Sequence, residues 1–343
     1  MSEVPRKPAT RDDVAARAGV STALVSYFIT GARVVSAASA ERIRTAIGDL
    51  DYRPNWTAQA LKTGRTRTLG LIVTDIENPY FAALALEIER RAANRGYAVV
   101  LANTQANDEA ERNHIQDLLD RGVDGLILGS HNDDRPITEL SSTATHVVRI
   151  DVTTGHEGVT AIGPSMAEGA DEVVTHLVER HGFRDIALAL GGGGGDEIEL
   201  DQRQVGWITA LQRAGLPEAR VVRTEWSRSG GYESGALLLD TPARPEAVFA
   251  GSDLIAVGLL RAAADRGLKV PGDLALASFD GSPESEYSVP RLTSLQQPVP
   301  EMAEAAIKAV LSKTPLTGFS SFRGLLLIRE SCGYTGRESG PQG

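Results

Sequence analysis

Two short helical patterns joined through a single glycine leave this chain little choice at its start. Thr10, with Asp13 three residues on, is a capping pair for a first helix that Val14 and Ala18 carry inward. Gly19 falls where two helices meet at a steep angle, and a left-handed backbone there is cheap only for glycine. Ser21 caps a second helix, Thr22 to Ile29; small Ala15 lets the two approach, and Val25 closes their core. An ordinary helical hairpin shares some of this. The fixed offsets of Ala15, Gly19 and Val25 are those of a helix-turn-helix, a unit that lays its second helix in a DNA major groove.

A third amphipathic helix follows from Ser36, with apolar residues at 43, 46, 47 and 50. Pro54 breaks it, Asn55 can cap a short successor, and Gly64 ends that successor. The piece is too short to be stable alone in water, which suits a coupling device between a head and a large body.

From about residue 67 the pattern changes. Apolar runs at Thr68–Thr74, Ala98–Asn103, Gly125–Gly129, His146–Asp151, Asp185–Leu190, Ala247–Ala250 and Leu274–Phe279 alternate with amphipathic stretches such as Tyr80–Asn94 and Leu254–Asp265. Such alternation means parallel sheets covered on both faces, and 343 residues suit two of them. One cysteine, Cys332, cannot make an internal disulfide, and no apolar run resembles a signal peptide or a membrane span. Cytoplasm is the expected compartment. The formal charge of −10 is unevenly spread: residues 1–67 hold 11 Lys/Arg against 6 Asp/Glu, a net of +5, and the remainder 24 against 39, a net of −15. The head is drawn to phosphate while the body is repelled by it.

Three stretches together carry a resemblance: Asp13-Val14-Ala15…Ala18-Gly19-Val20-Ser21…Val25-Ser26, then Tyr52-x-Pro54-Asn55-x-x-Ala58-x-x-Leu61, then Gly70-Leu-Ile-Val…Asn78-Pro79-Tyr80-Phe81. The chain resembles the LacI/GalR family of bacterial transcription regulators over nearly its whole length. The resemblance implies an all-α helix-turn-helix head plus an α/β core like the type I periplasmic binding proteins. That core has two lobes of doubly wound parallel sheet, joined by three crossover strands. The head would span 1–54, a hinge helix and linker 55–66, the core 67–334 and a loose tail 335–343. Lobe 1 would hold about 67–163 and 294–320, and lobe 2 about 164–293 and 321–334.

On the DNA side, Thr22, Ala23 and Tyr27 resemble the family's base-reading positions. The last is commonly arginine, which grips guanine bidentately. Tyr27 offers one hydroxyl or a stacking face, or packs on the third helix, so the usual half-site is not implied. Ser21, Ser26 and Thr30 read as phosphate-positioning contacts, and Thr10 and Asn55 stand with them on the DNA side. Ala58 and Leu61 match hinge residues that wedge into the minor groove and bend the duplex. Trp56 is unusual beside them.

Open parallel sheets bind ligands beyond the carboxyl ends of their strands. Asp75, Asp151 and Asp280 fall there, and Arg203, Trp226 and Ser252-Asp253 stand near helix or strand ends. Carboxylates and a guanidinium make paired hydrogen bonds to vicinal hydroxyls, and an aromatic face covers the apolar side of a pyranose. The inventory suits a carbohydrate or similar polyol, although Asp75 and Asp253 serve equally well in capping or packing. The resemblance implies principal ligand roles for Arg203 and Asp280, ring-facing roles for Tyr80 and Phe81, an aromatic wall at Trp226 and a further contact at Asp151. Ser252 stands where many members have Asn, and Gly191–Gly195 replaces a less extreme loop, so no particular sugar is implied.

Two other function classes fit less of the chain. For an enzyme, Gly191–Gly195 has Asp196 where a third dinucleotide glycine belongs and no P-loop lysine, so no nucleotide cofactor is implied. The six histidines are scattered, and His176 and His181 are five apart rather than four, which gives neither a zinc set nor a triad. A sugar-binding protein without gene control leaves residues 1–64 unexplained. The expectation is a repressor, without cofactor, metal or membrane partner, that binds near-palindromic double-stranded DNA as a homodimer under control of a small effector. No heptad segment follows residue 331 to build a tetramer.

Overall fold

The computed structural model describes residues 9–30, 33–53, 60, 63–129, 145–155, 159–192, 200–218, 220–312, 314 and 317–333. The hinge residues Asn55, Trp56, Ala58 and Leu61, the glycines 193–195, His131, His156 and the tail from 334 lie outside them. The chain forms two compact units, Met1–Thr66 and Arg67–Gly343.

The first unit contains α1 (Arg11–Ala18), α2 (Thr22–Thr30) and α3 (Ala37–Asp49). Thr10 Oγ1 accepts from the Asp13 N–H at 3.3 Å, and Asp13 Oδ2 accepts from the Thr10 N–H at 2.8 Å. These reciprocal bonds satisfy two of the donors that a helix start leaves open. Gly19 ends α1 at φ 64, and its N–H turns back to Ala16 O at 3.3 Å. Val14, Ala15, Ala18, Val25, Ile43, Ala46 and Tyr52 bury themselves as the core.

The second unit opens with β1 (Thr68–Val73), α4 (Pro79–Ala93), β2 (Ala98–Asn103), α5 (Asp108–Asp120), β3 (Gly125–Gly129), β4 (His146–Ile150) and β5 (Thr160–Pro164). It continues with α6 (Met166–His181), β6 (Ile186–Gly191), α7 (Gln202–Arg213), β7 (Val221–Thr224), α8 (Arg228–Leu239), β8 (Ala247–Ala250), α9 (Asp253–Asp265), β9 (Ala275–Asp280) and α10 (Pro283–Tyr287). It closes with β10 (Thr293–Gln296), α11 (Val299–Val310), β11 (Gly318–Phe322), β12 (Leu325–Leu327) and a 3₁₀ turn at Glu330–Cys332.

Two six-stranded sheets result, ordered β11-β5-β4-β3-β1-β2 and β12-β10-β9-β8-β6-β7. The pairings are parallel except β10 with β12. Each sheet is covered on both faces, which is why its strands read as unbroken apolar runs. In the first lobe, Leu84 and Ile88 of α4 and Met302 and Ile307 of α11 pack on one face, and Ile115 and Leu118 of α5 on the other. In the second, Val173 and Leu177 of α6 join Trp207 and Leu211 of α7, while Leu238 of α8 and Leu259 of α9 cover the opposite face.

The chain passes between the lobes three times: between β5 and α6, between β10 and α11, and between β11 and β12. The second return falls after Gln296 rather than near 294, because Thr293–Gln296 pair with Ala277–Asp280 in the second sheet. The third falls after Phe322 rather than near 320, because Ser321 and Phe322 still pair with Gly163 and Pro164. No helix among the described residues is long and apolar enough to cross a membrane.

Candidate functional site

In the second unit, polar residues from both lobes meet at the carboxyl ends of the strands. Asp151 follows β4 at φ 63, and Asp280 ends β9 at φ 108, so both carboxylates sit on backbone that L-residues seldom adopt. Strain of this kind costs on the order of 1–3 kcal/mol per residue and persists where surrounding structure holds it. At Asp280 the holding is visible. Asp253 Oδ1 accepts from the hydroxyls of Ser278 and Ser294 at 2.6 and 2.7 Å, and its Oδ2 accepts from the Ser282 N–H at 2.6 Å. Gly281, at φ 63, could not carry a Cβ, which would come within 2.3 Å of Gln296 Cα. Asp253 thus serves neither as a cap nor as an open ligand group; it fixes the loop that presents Asp280.

Tyr80 stands in the first turn of α4, where Asn78 Oδ1 accepts from its N–H at 3.0 Å. Its hydroxyl donates to Asp151 Oδ1 at 2.7 Å. Burial first, then Asp151, pushes the phenol well above its ordinary pKa. On the facing lobe, Arg203 Nε donates to Asp201 Oδ1 and Nη2 to Asp201 Oδ2, each at 2.9 Å, and Nη1 donates to Gly251 O at 3.2 Å. Burial opposes the guanidinium charge, but Asp201, then Asp280 and Asp151, more than offset it and raise its pKa. Asp280 is pushed well above the usual carboxylate range by burial and Asp253, against the pull of Arg203. These mutual effects place Tyr80, Asp151, Arg203 and Asp280 within one electrostatic neighbourhood, and all four are less than a tenth exposed.

The other expected ligand residues fare differently. Trp226 lies 4.4 Å beneath the Arg203 guanidinium, and a Cβ on Gly191 would strike its ring at 2.0 Å. Trp226 and Asp75 line a cleft of about 790 Å³ that also takes in Thr74 and Gln105 from the first lobe and Arg223 from the second. Asp75 Oδ1 accepts from the Glu77 N–H at 2.9 Å, a local turn contact. Phe81 packs into the first-lobe core, with its ring edge-on to Tyr80 at 5.1 Å. Ser252 Oγ accepts from the Ile255 N–H at 3.2 Å and caps α9, so its hydroxyl is engaged in starting a helix.

Gln297 was not foreseen. Its Nε2 donates to Asp280 Oδ1 at 2.8 Å and its backbone N–H to Asp280 O at 3.0 Å, while Oε1 is buried without a partner among the described residues. A second cavity of about 660 Å³ is lined by Tyr80, Asp280 and Gln297. The only sequence signal for Gln297 is its position before Pro298 at a passage between lobes.

In the first unit, Ser21, Thr22 and Ala23 are exposed at the start of α2. Thr22 Oγ1 donates to Asp12 Oδ1 at 2.8 Å, which ties α2 to α1, and Thr30 Oγ1 donates to Ser26 O at 2.8 Å. Tyr27 is half-buried, and the Arg33 guanidinium lies 5.1 Å over its ring. The phenol therefore carries a cation on one face. Thr10 spends its side chain on the α1 cap.

Comparison with known proteins agrees with both units. Residues 10–55 match the bacterial regulatory proteins of the lacI family, and residues 174–321 match the periplasmic binding protein-like domain. The ribose operon repressor of Escherichia coli strain K12 is 33% identical over 310 residues, covering 89% of this chain and 93% of that protein. A structure of the Lac repressor dimer bound to operator and the anti-inducer ONPF superposes with a TM-score of 0.78 at 25% identity, covering 95% of this chain and 99% of that one. A complex of the transcriptional regulator CelR with cellobiose gives a TM-score of 0.67 at 28% identity, covering 94% of this chain and 99% of that one. With a helix-turn-helix unit, a two-lobed parallel-sheet core and this likeness along its length, the chain belongs to the LacI family of bacterial regulatory proteins, DNA-binding transcription repressors controlled by small molecules.

Proposed function

We propose that this repressor answers to a neutral, polyhydroxylated carbohydrate bound between its lobes by Arg203, Asp280, Asp151, Tyr80 and Gln297. The observation that carries the reading is the composition of that cluster. One guanidinium is already held in a fork by Asp201 and is faced by Asp151 and Asp280. A phosphorylated or otherwise anionic ligand would add charge to a site where carboxylates outnumber the cation. Vicinal hydroxyls, which donate to carboxylates and accept from the guanidinium and amide, satisfy every member without that cost. Asp75 and Trp226 border the same cleft and read as rim contacts. Bound cellobiose in the related CelR complex is in keeping with the reading.

The effector acts by preferring one lobe angle and can shift DNA affinity only by that preference. Two heads on a homodimer read a near-palindromic operator, with the start of α2 and Tyr27 toward the bases and Leu61 of the hinge as the minor-groove wedge. Leu86 on α4 and Val100 and Leu101 on the edge strand β2 leave large apolar side chains exposed at this edge of the first lobe, which is our candidate for the dimer contact. The cytoplasm, which holds the DNA, is the compartment this role requires.

The test is titration of full-length protein with neutral sugars, sugar phosphates and nucleosides, followed by operator binding in the presence of any hit. A neutral sugar whose binding is lost in Arg203→Ala and Asp280→Asn, and which changes operator affinity, supports the reading. A phosphorylated sugar that binds while its neutral parent does not would overturn it.

A further inference from the structure

We propose that His176, His181 and Cys332 form a binding site for a zinc-class divalent cation, with three protein ligands and a fourth position for water or another exogenous donor. The three meet from the penultimate turn of α6, its final residue and the 3₁₀ turn that closes the second lobe. His176 Nε2 and His181 Nε2 are 3.2 Å apart, Cys332 Sγ is 3.5 Å from His176 Nε2, and all three atoms lie within 4.8 Å of one another. A tetrahedral cation with Zn–N of about 2.05 Å and Zn–S of about 2.3 Å sets its ligands about 3.4 Å apart for N···N and about 3.6 Å for S···N. Two of the three edges already have those lengths. A hydrogen bond between imidazoles accounts for the first edge alone and gives no reason for a buried thiol against the same nitrogen.

The surroundings suit coordination. Cys332 is fully buried and both histidines are half-buried, so a cation reaches the site from the histidine side. Thr293 Oγ1 lies 3.1 Å from the sulfur, within reach to donate to a thiolate. Phe183 stacks on His181 with centroids 5.7 Å apart and planes 17° apart, which fixes that ring. Outer contacts of this kind orient metal ligands. One thiolate with two imidazoles favours zinc over magnesium or calcium, and the thiol proton leaves to solvent on binding.

A spacing of five is wrong for two ligands on one helical face. The two rings nevertheless meet edge-on with centroids 5.0 Å apart, so the side chains span what the helical spacing does not. The helix enters the second lobe at its cleft end and finishes near the start of β6, so the trio lies at the end remote from Asp280. A bound cation would staple the closing turn to α6 independently of the effector.

The experiment uses full-length protein without a histidine tag, stripped with chelator and titrated with Zn²⁺ and, as a spectroscopic probe, Co²⁺. One equivalent of Zn²⁺ should bind with micromolar or tighter affinity and raise the melting temperature, and Co²⁺ should give a thiolate charge-transfer band. Cys332→Ser should abolish that band, and His181→Gln should weaken binding more than about tenfold. His114→Gln, outside the trio, should change neither. Circular dichroism checks each fold; should the buried Cys332→Ser fail to fold, His181→Gln at its half-buried site decides. Folded protein that takes up no stoichiometric metal, or binding that persists unchanged in His181→Gln, overturns the proposal.

Discussion

Asp280 ionises with difficulty in the folded protein, and that difficulty is measurable. Burial and Asp253 raise its pKa well above the usual range, while in the unfolded chain it titrates near about 3.9. Between those two values the folded state binds more protons than the unfolded one, so this group's contribution to stability falls as pH rises through the window. Asp280→Asn should therefore melt higher than the parent at neutral pH, with the gain shrinking toward about pH 4, and should bind no sugar; calorimetry across that range reads both trends. A lower melting temperature at neutral pH would mean that attraction to Arg203 outweighs burial. Tyr80→Phe removes the 2.7 Å bond to Asp151 and should cost about 1.5–3 kcal/mol, read by denaturant titration with and without effector. That Arg203, Asp151, Tyr80 and Asp280 stand together at the strand ends is legible in the sequence, because each follows a readable strand or opens a readable helix. The place of Gln297 is not, since it follows the short, largely polar run Thr293-Ser-Leu-Gln, and the capping bond of Ser252 is not, since a cap and a ligand hydroxyl look alike in sequence.

At the scale of elements, two glycines couple backbone to function. A methyl on Gly191 would collide with the Trp226 indole, on which Arg203 rests. Gly191→Ala should displace that stack and weaken effector binding several-fold while leaving operator binding in the absence of effector intact; calorimetric titration and a gel-shift assay separate the two. Gly19 has open space around it, the nearest atom to an added Cβ being Arg42 Nη1 at 3.7 Å, so only its φ of 64 resists a side chain. Gly19→Ala should cost the first unit about 1–2 kcal/mol and lower operator affinity without touching sugar binding. Helices and buried central strands were readable because their apolar period is strong. The readable runs leave out β5 and β10, although both are buried inside their sheets, and β11 and β12. β5 ends in Gly163-Pro164, β10 is short and largely polar, β11 and β12 are short or largely exposed, and the strand state of all four is decided by neighbours in space rather than by their own residues.

For the whole molecule, the separation into two compact units predicts that removing residues 1–66 leaves a folded, effector-binding core without DNA binding. Sedimentation and sugar titration of that fragment check it. The net charge of +5 on residues 1–67 should make operator affinity fall steeply with salt, whereas sugar affinity stays nearly constant. The three passages between lobes could not be read from local pattern, since each depends on pairings between distant segments; only the resemblance to a family anticipated them. They also bear on how the protein is made. The first lobe needs α11 and β11, and the second needs β12 and the turn at Glu330–Cys332, so neither sheet is complete until synthesis has nearly finished. The helix-turn-helix core is complete by Tyr52. On the ribosome, where domains fold in order of emergence, the DNA-reading unit is ready long before the part that governs it. A message cut short or a stalled ribosome therefore yields a head without a governor, and quality control of nascent chains becomes part of how such a regulator stays obedient.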